Sequence, residues 1–227
     1  MMKTLLTYIL SAAIGITFTA GASAQGLDPY YETLAQYNRI APKQNPQWES
    51  ASSTIKSSIQ DSKNKVVGDL NNIIVSDNGS IQALEVNLNR IQLGSASLNY
   101  RELQIKSSAR SYALNMDDSR IKDVYPEILA SIDTAAGDSA SSISIKNLIG
   151  SYIRADDGRR IGKVSEIMFT DRGDAAAALV VDVNYKTIRG ETIALPFSSV
   201  EYLPKGNGFE VLLADQQADT VLEFADR

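Results

Sequence analysis

The chain spells one phrase twice. Residues 67–86 read VGDLNNIIVSDNGSIQALEV, and residues 161–181 read IGKVSEIMFTDRGDAAAALVV. An offset of 94 carries Ile55 and Ile59 onto Ile149 and Ile153, and Val67-Gly68 onto Ile161-Gly162. The same offset carries Leu70 onto Val164, Ile73 onto Ile167, and Asp77-Asn78-Gly79 onto Asp171-Arg172-Gly173. One insertion then brings Ala83-Leu84 onto Ala178-Leu179. At an offset of 97, Leu98-Asn99-Tyr100 meets Leu195-Pro196-Phe197, Leu103 meets Val200 and Tyr112 meets Phe209. A register held across a whole unit marks a duplicated domain.

One copy is readable as a sheet. In LEVNLN, Leu84, Val86 and Leu88 fall on one face and Glu85, Asn87 and Asn89 on the other. LVVDVNY sets Leu179, Val181, Val183 and Tyr185 on an inner face. A period of two with one apolar face means half-buried strands. The phrases DNG and DRGD join such runs, and Asn or Asp with Gly supplies the positive φ that a tight hairpin needs. Each copy holds about six short strands, the pattern of a small barrel, and closure removes exposed edges. Each copy ends in a short helical phrase, from Met116 and from Leu213. Asp117 or Asp118, and Asp215, are the expected caps. Ile121, Val124 and Ile128, like Ala218, Val221 and Leu222, are placed to plug a barrel end. The expected class is all-β with short helices: two tandem barrels of about six strands, each with a C-terminal helix.

Residues 1–24 read as a signal peptide. Lys3 is a basic n-region, an apolar run follows, and Ala22-Ser23-Ala24 is a small-residue cleavage site. Cleavage after Ala24 predicts a periplasmic or secreted protein with no stable membrane span. Residues 25–51 form an arm rich in Pro, Gln and Asn that carries Tyr30, Tyr31, Tyr37 and the only tryptophan, Trp48. Asp28 before Pro29 is an N-cap followed by proline at the first helical position. The arm reads as a linker packing its aromatics on the next domain, or as a docking segment. If it is a docking segment, deleting residues 25–49 is expected to leave both barrels folded but to weaken partner capture. The first barrel then spans 52–133, a small-residue join 134–141, and the second barrel 142–227.

Those later phrases resemble a known family. LIGSYIRADDGRRIGKVSEIMFTDRGDAAAALVVDV, then IALPFSSVEYL, then FEVLLADQQADTVLEF is similar to the PRC-barrel domain, named after the photosynthetic reaction centre, whose H subunit carries such a barrel. The pattern is Gly150 in the first strand, Ile161-Gly162, an Asp/Gly hairpin turn, an apolar strand and Leu195-Pro196. The first copy is divergent, with Lys56 in place of Gly150 and Asn99 in place of Pro196. The resemblance implies a six-stranded barrel used for binding and assembly. It brings no catalytic residues.

Composition narrows function by exclusion. The 227 residues contain no Cys and no His. That removes disulfides, Cys-His pairs, Ser-His-Asp triads and His or thiolate metal sites. The net charge is −5, and loss of the leader's one lysine makes it about −6, against the basic face that nucleic acid binding needs. Asp156-Asp157 and Asp171 with Asp174 lack the alternating oxygen ligands of a Ca²⁺ loop. Ser57, Ser58 and Ser144 lie near lysines without an oxyanion loop. Arg172-Gly173-Asp174 and the sequon Asn78-Gly79-Ser80 sit where hairpin turns are required. We therefore expect no enzyme, no cofactor and no metal. The expected function is a protein-interaction or assembly module of a bacterial periplasm, with a protein partner in the envelope and self-association left open. The expected contacts are Tyr30, Tyr31, Tyr37 and Trp48, because aromatics anchor interfaces, and the basic group Arg154, Arg159 and Arg160. The alternative is a small-ligand carrier or sensor with its ligand between the barrels.

Overall fold

The computed structural model of the protein describes residues 28–101, 103–108, 111–135 and 142–227. The leader and most of the join at 134–141 lie outside them. In chain order the elements are α1 (Pro29–Tyr37), β1 (Trp48–Ser50), α2 (Ala51–Thr54), β2 (Ser58–Gln60), β3 (Val66–Val75), β4 (Ile81–Asn87), β5 (Ser95–Asn99), β6 (Lys106–Ser108), β7 (Ser111–Ala113) and α3 (Asp118–Ala135). There follow β8 (Ile143–Ser144), α4 (Ile145–Leu148), β9 (Tyr152–Ala155), β10 (Arg160–Thr170), β11 (Ala176–Tyr185), β12 (Ile188–Pro196), β13 (Glu201–Lys205), β14 (Gly208–Leu213) and α5 (Asp215–Ala225).

The two copies make two small barrel-like units with one strand order used twice: β5-β4-β3-β2-β7-β6 and β12-β11-β10-β9-β14-β13. The inner faces are those the alternation marks. Ile59, Ile73, Leu84, Val86 and Leu98 are buried in one, and Ile153, Ile167, Leu179, Val181 and Leu195 in the other. The apolar-Gly pair has a steric cause. A Cβ on Gly68 would lie 2.3 Å from the carbonyl oxygen of Asn87, and one on Gly162 would lie 2.4 Å from that of Asp182. The facing strand passes too close for any side chain.

Three details depart from the sequence reading. Tyr112 pairs with Ile59 where Val211 pairs with Ile153, so the spatial counterpart of Tyr112 is Val211 rather than Phe209. The last hairpin has slid by two residues, the one slip that keeps every side chain on its own face. The helix of the first unit is not short: α3 has 18 residues and runs through Pro126. Asp117 does cap it, accepting from the Arg120 N–H at 3.1 Å. In the second unit Ala214 is the N-cap, and the Gln217 side chain accepts its N–H. Asp215 is engaged elsewhere, accepting from the Asp157 N–H at 3.0 Å in the β9–β10 turn.

Each unit contains a strand of the other's lead-in. β1 precedes the first unit yet pairs with β10 of the second; β8 precedes the second yet pairs with β3 of the first. The two pairings are equivalent at the repeat offset: Ser50 faces Met168, and Ser144 faces Ile74. Ser50 caps α2 by accepting from Ser53, and Ser144 caps α4 by accepting from Asn147. A bulge in β10 between Val164 and Glu166, and its match in β3 between Leu70 and Asn72, re-aims the next side chain towards the partner unit's short helix. Asn72 Oδ1 thus accepts from the Lys146 N–H at 3.1 Å, and Glu166 Oε1 from the Ser52 N–H at 3.4 Å. The hairpin tips meet where the two copies face each other, at a Ser80–Ala175 bridge, and the Ala176 N–H donates to the Gly79 carbonyl at 2.9 Å.

The arm is part of this architecture. Asp28 caps α1 through the Tyr30 N–H, as the sequence indicates. Asp28 Oδ2 also accepts from Thr220 of α5 at 2.9 Å. At the other end of α1 the Asn38 amide clasps the open edge of β12: Oδ1 accepts from the Ala194 N–H at 2.7 Å and Nδ2 donates to the Ala194 carbonyl at 2.9 Å. Leu34 is fully buried. The segment therefore packs on the second barrel rather than on the next one. These contacts lead to a different expectation from the sequence reading: removal of the segment is expected to destabilise the second barrel.

Candidate interaction surface

The four aromatics expected to contact a partner are engaged within the chain. The Tyr30 hydroxyl lies 3.3 Å from Ser199 Oγ. Tyr31 meets Phe224 edge-on at 5.4 Å, and the Arg227 guanidinium sits over its ring at 4.7 Å. Tyr37 and Trp48 lie 5.5 Å apart and pack on a small cluster of Met168, Ala178, Val180 and Ala194. That cluster is on the outer face of the second barrel, so β11 is buried on both sides.

The basic group is split. Arg159 turns to α5, pairing with Asp157 and, at 2.6 Å, with Asp219. Arg154 and Arg160 stand together on the outer face of β9, β10 and β14. The Arg160 guanidinium lies 3.6 Å from the centre of the Tyr152 ring. Arg154 Nε is 2.7 Å from Glu210 Oε1, and Lys205 Nζ is 3.0 Å from the same oxygen. Lys205 and Arg154 hold the Glu210 carboxyl below its usual range.

Around these cations lies a cross-strand row, with two exposed large hydrophobic side chains among charges, that sequence reasoning missed. Leu203 faces Glu210, Glu210 faces Tyr152, and Tyr152 faces Lys163. Tyr152 is 42% exposed and Leu203 37%, high values for strand residues of this size. The repeat shows how specific the surface is. Where Tyr152 and Lys163 pair in the second unit, Ser58 and Asp69 pair in the first. At the offset of 94, Gln60 and Val66 stand for Arg154 and Arg160. The available signal was an aromatic at an outward strand position of one copy opposite a serine in the other.

The turn motifs have structural partners. The Gly173 carbonyl accepts from the Tyr112 hydroxyl at 2.8 Å, which ties the Arg-Gly-Asp tip to the first barrel. Asn78 Oδ1 accepts from Ser76 Oγ and the Ser80 N–H within its own turn. Asp174 accepts from Thr170 Oγ1. Among the described residues no three acidic side chains are grouped to hold a metal ion. Among them, too, no helix is long and apolar enough to cross a membrane.

Buried tyrosines make the assembly sensitive to base. Burial pushes the Tyr30 hydroxyl up to about 12, and burial also raises Tyr112 and Tyr202. A raised folded-state value favours the neutral hydroxyl, so this stability is complete below about pH 10, the unfolded value, and is lost as pH climbs through about 12. Absorbance titration at the phenolate band is expected to show these tyrosines ionising together with loss of near-ultraviolet circular dichroism. Ionisation of every tyrosine near pH 10 with the fold intact would refute it.

Comparison with known proteins adds one assignment. No curated protein matches the chain. Residues 141–215, from the end of the join through the last strand of the second unit, match the family model of the PRC-barrel domain, so the second barrel carries that domain.

Proposed function

We propose that the chain is an exported, non-enzymatic tandem PRC-barrel protein that acts as a protein-interaction module in the bacterial periplasm. The observation that carries this reading is the outer face of β13, β14 and β9. Tyr152 and Leu203 are exposed there among Arg154, Arg160, Lys163 and Lys205, and the first barrel carries Ser58, Gln60, Val66 and Asp69 at the positions of Tyr152, Arg154, Arg160 and Lys163. An aromatic anchor beside arginine within a polar rim is the composition of an interface centre. The first barrel serves as the brace that fixes β10 and, through the exchanged strands, the arm. In this reading Tyr30, Tyr31, Tyr37 and Trp48 position the second barrel, while Arg154 and Arg160 touch the partner.

The test is in-cell crosslinking of the tagged protein followed by mass spectrometry of captured envelope proteins. One dominant partner is expected, lost in Tyr152→Ser and in Leu203→Asp. Capture unchanged by both substitutions would overturn the assignment of this face. Only self-crosslinks would replace the partner with a second copy of the chain.

A further inference from the structure

The duplication supplies an internal control for the Tyr152 face. In the second barrel one register line runs Leu203, Glu210, Tyr152, Lys163. The same line in the first barrel runs Ser108, Ser111, Ser58, Asp69. Three serines and a carboxylate thus hold the places of two large apolar side chains, a carboxylate and a lysine. Both barrels have the same strand order, so the fold does not require this set of side chains. They suit something outside the fold.

The charges narrow what that is. Glu210 is shared by Arg154 at 2.7 Å and Lys205 at 3.0 Å. Arg160 and Lys163 have no ion-pair partner among the described residues. The Arg160 guanidinium is held over Tyr152, 3.6 Å from the ring centre, with donors left for a planar acceptor such as a carboxylate. Lys163 lies against Gly150, where an added Cβ would stand 3.6 Å from its Cε. Two further carboxylates share the face, Asp182 opposite Lys163 and Glu201 opposite Leu212. Asp182 accepts from Thr192 Oγ1 at 3.2 Å. Four cations against three carboxylates leave the face one positive charge in excess, on a chain whose net charge is −5. Its electrostatic complement is an acidic surface. Strand addition is not the mode of docking: β13 ends the strand order, and Pro204 within it has no N–H to offer a new strand. Side chains do the reading. Tyr152 and Leu203 are two strand spacings apart, about 10 Å, or roughly three residues of extended chain.

We propose that this face takes an acidic, aliphatic segment of a protein partner, a carboxylate on Arg160 and Lys163 and aliphatic side chains against Tyr152 and Leu203. The proposal rests on the Tyr152 face being the partner surface, and adds the chemistry of what it binds.

The probe is a short fluorescein-labelled peptide repeating leucine-glutamate-glutamate, titrated with the full chain and read by fluorescence anisotropy. Saturable binding is expected, weakened about tenfold or more in the double variant Arg160→Gln, Lys163→Gln, and likewise in Tyr152→Ser. Replacing the peptide's glutamates by glutamine is expected to abolish it. Arg101→Gln with Lys106→Gln removes as much charge from the first unit and is expected to leave binding unchanged. No saturable binding, equal loss from the two double variants, or binding to phosphatidylglycerol vesicles in place of the peptide overturns the proposal. Two failures are separable. If in-cell capture still depends on Tyr152 while the Arg160, Lys163 variant binds the peptide as wild type, the face stands and the acidic partner falls. If Tyr152→Ser spares both capture and peptide binding, the face falls with it.

Discussion

Removal of residues 28–50 is expected to unfold the second barrel well before the first. The segment supplies β1 to the sheet, the Asn38 clasp to the β12 edge, and the cover over Met168, Ala178, Val180 and Ala194. Leu34 leaves a fully buried site. At roughly 1.5–3 kcal/mol per buried aliphatic side chain, losing Leu34 and re-exposing Met168 and Val180 costs at least about 4 kcal/mol. For a chain of this size that corresponds to a fall in Tm of roughly 10 °C. The effect is expected to be uneven. Among the described residues, the first barrel's sheet draws its exchanged strand from Ile143–Ser144, which the deletion leaves in place. Differential scanning calorimetry should therefore show an early transition, with exposed apolar surface reported by a hydrophobic dye. A single transition at the wild-type temperature would mean that the arm's contacts contribute nothing to the fold.

Much of this architecture was legible because it is local. Alternation in residues 84–89 and 179–185 fixed which side chains face inward, and Asp28-Pro29 announced α1. The repeat carried the strand order from one unit to the other. What escaped was set by pairing at long range. β1 and β8 are three and two residues long, too short for any period to show. Their exchange is encoded in Ser50 and Ser144 as caps and in Asn72 and Glu166 as polar residues inside apolar strands. Both look like solvent-facing positions until the bulge before each is known. A second clue lay in AAAALVV. Ala178 and Val180 are apolar on the face that should be wet, which is what a strand covered on both sides requires. The candidate surface was half legible. The arginines were visible as a cluster, but Arg154 and Arg160 part from Arg159 because the β9–β10 turn sends it to Asp219.

The hairpin tips offer the sharpest test that the two units fold as one body, since a single methyl group distinguishes two equivalent glycines. Gly79 and Gly173 occupy the same turn, with φ of +84° and +67°. A side chain in the left-handed region costs about 1–2 kcal/mol at either position. Beyond that their surroundings differ. A Cβ on Gly79 would lie 2.2 Å from the carbonyl oxygen of Ala176 in the other unit; on Gly173 the nearest atom is the Tyr112 hydroxyl at 3.4 Å, an ordinary contact. Backbone cannot yield as a flexible side chain can, and forced overpacking adds a further 1–3 kcal/mol or so. Gly79→Ala is thus expected to cost about 3 kcal/mol or more and to part the tips, breaking the Ala176–Gly79 hydrogen bond and the Ser80–Ala175 bridge. Gly173→Ala pays the backbone strain alone. Gly158→Ala is the control: its φ is +87°, and nothing lies within 4 Å of the added carbon. If contact between the tips couples the barrels, Gly79→Ala should split one calorimetric transition into two, while the other two substitutions lower Tm and keep it single. Equal losses from all three would assign the effect to strain and place the coupling of the units in their other contacts, the exchanged strands and the Tyr112–Gly173 hydrogen bond among them.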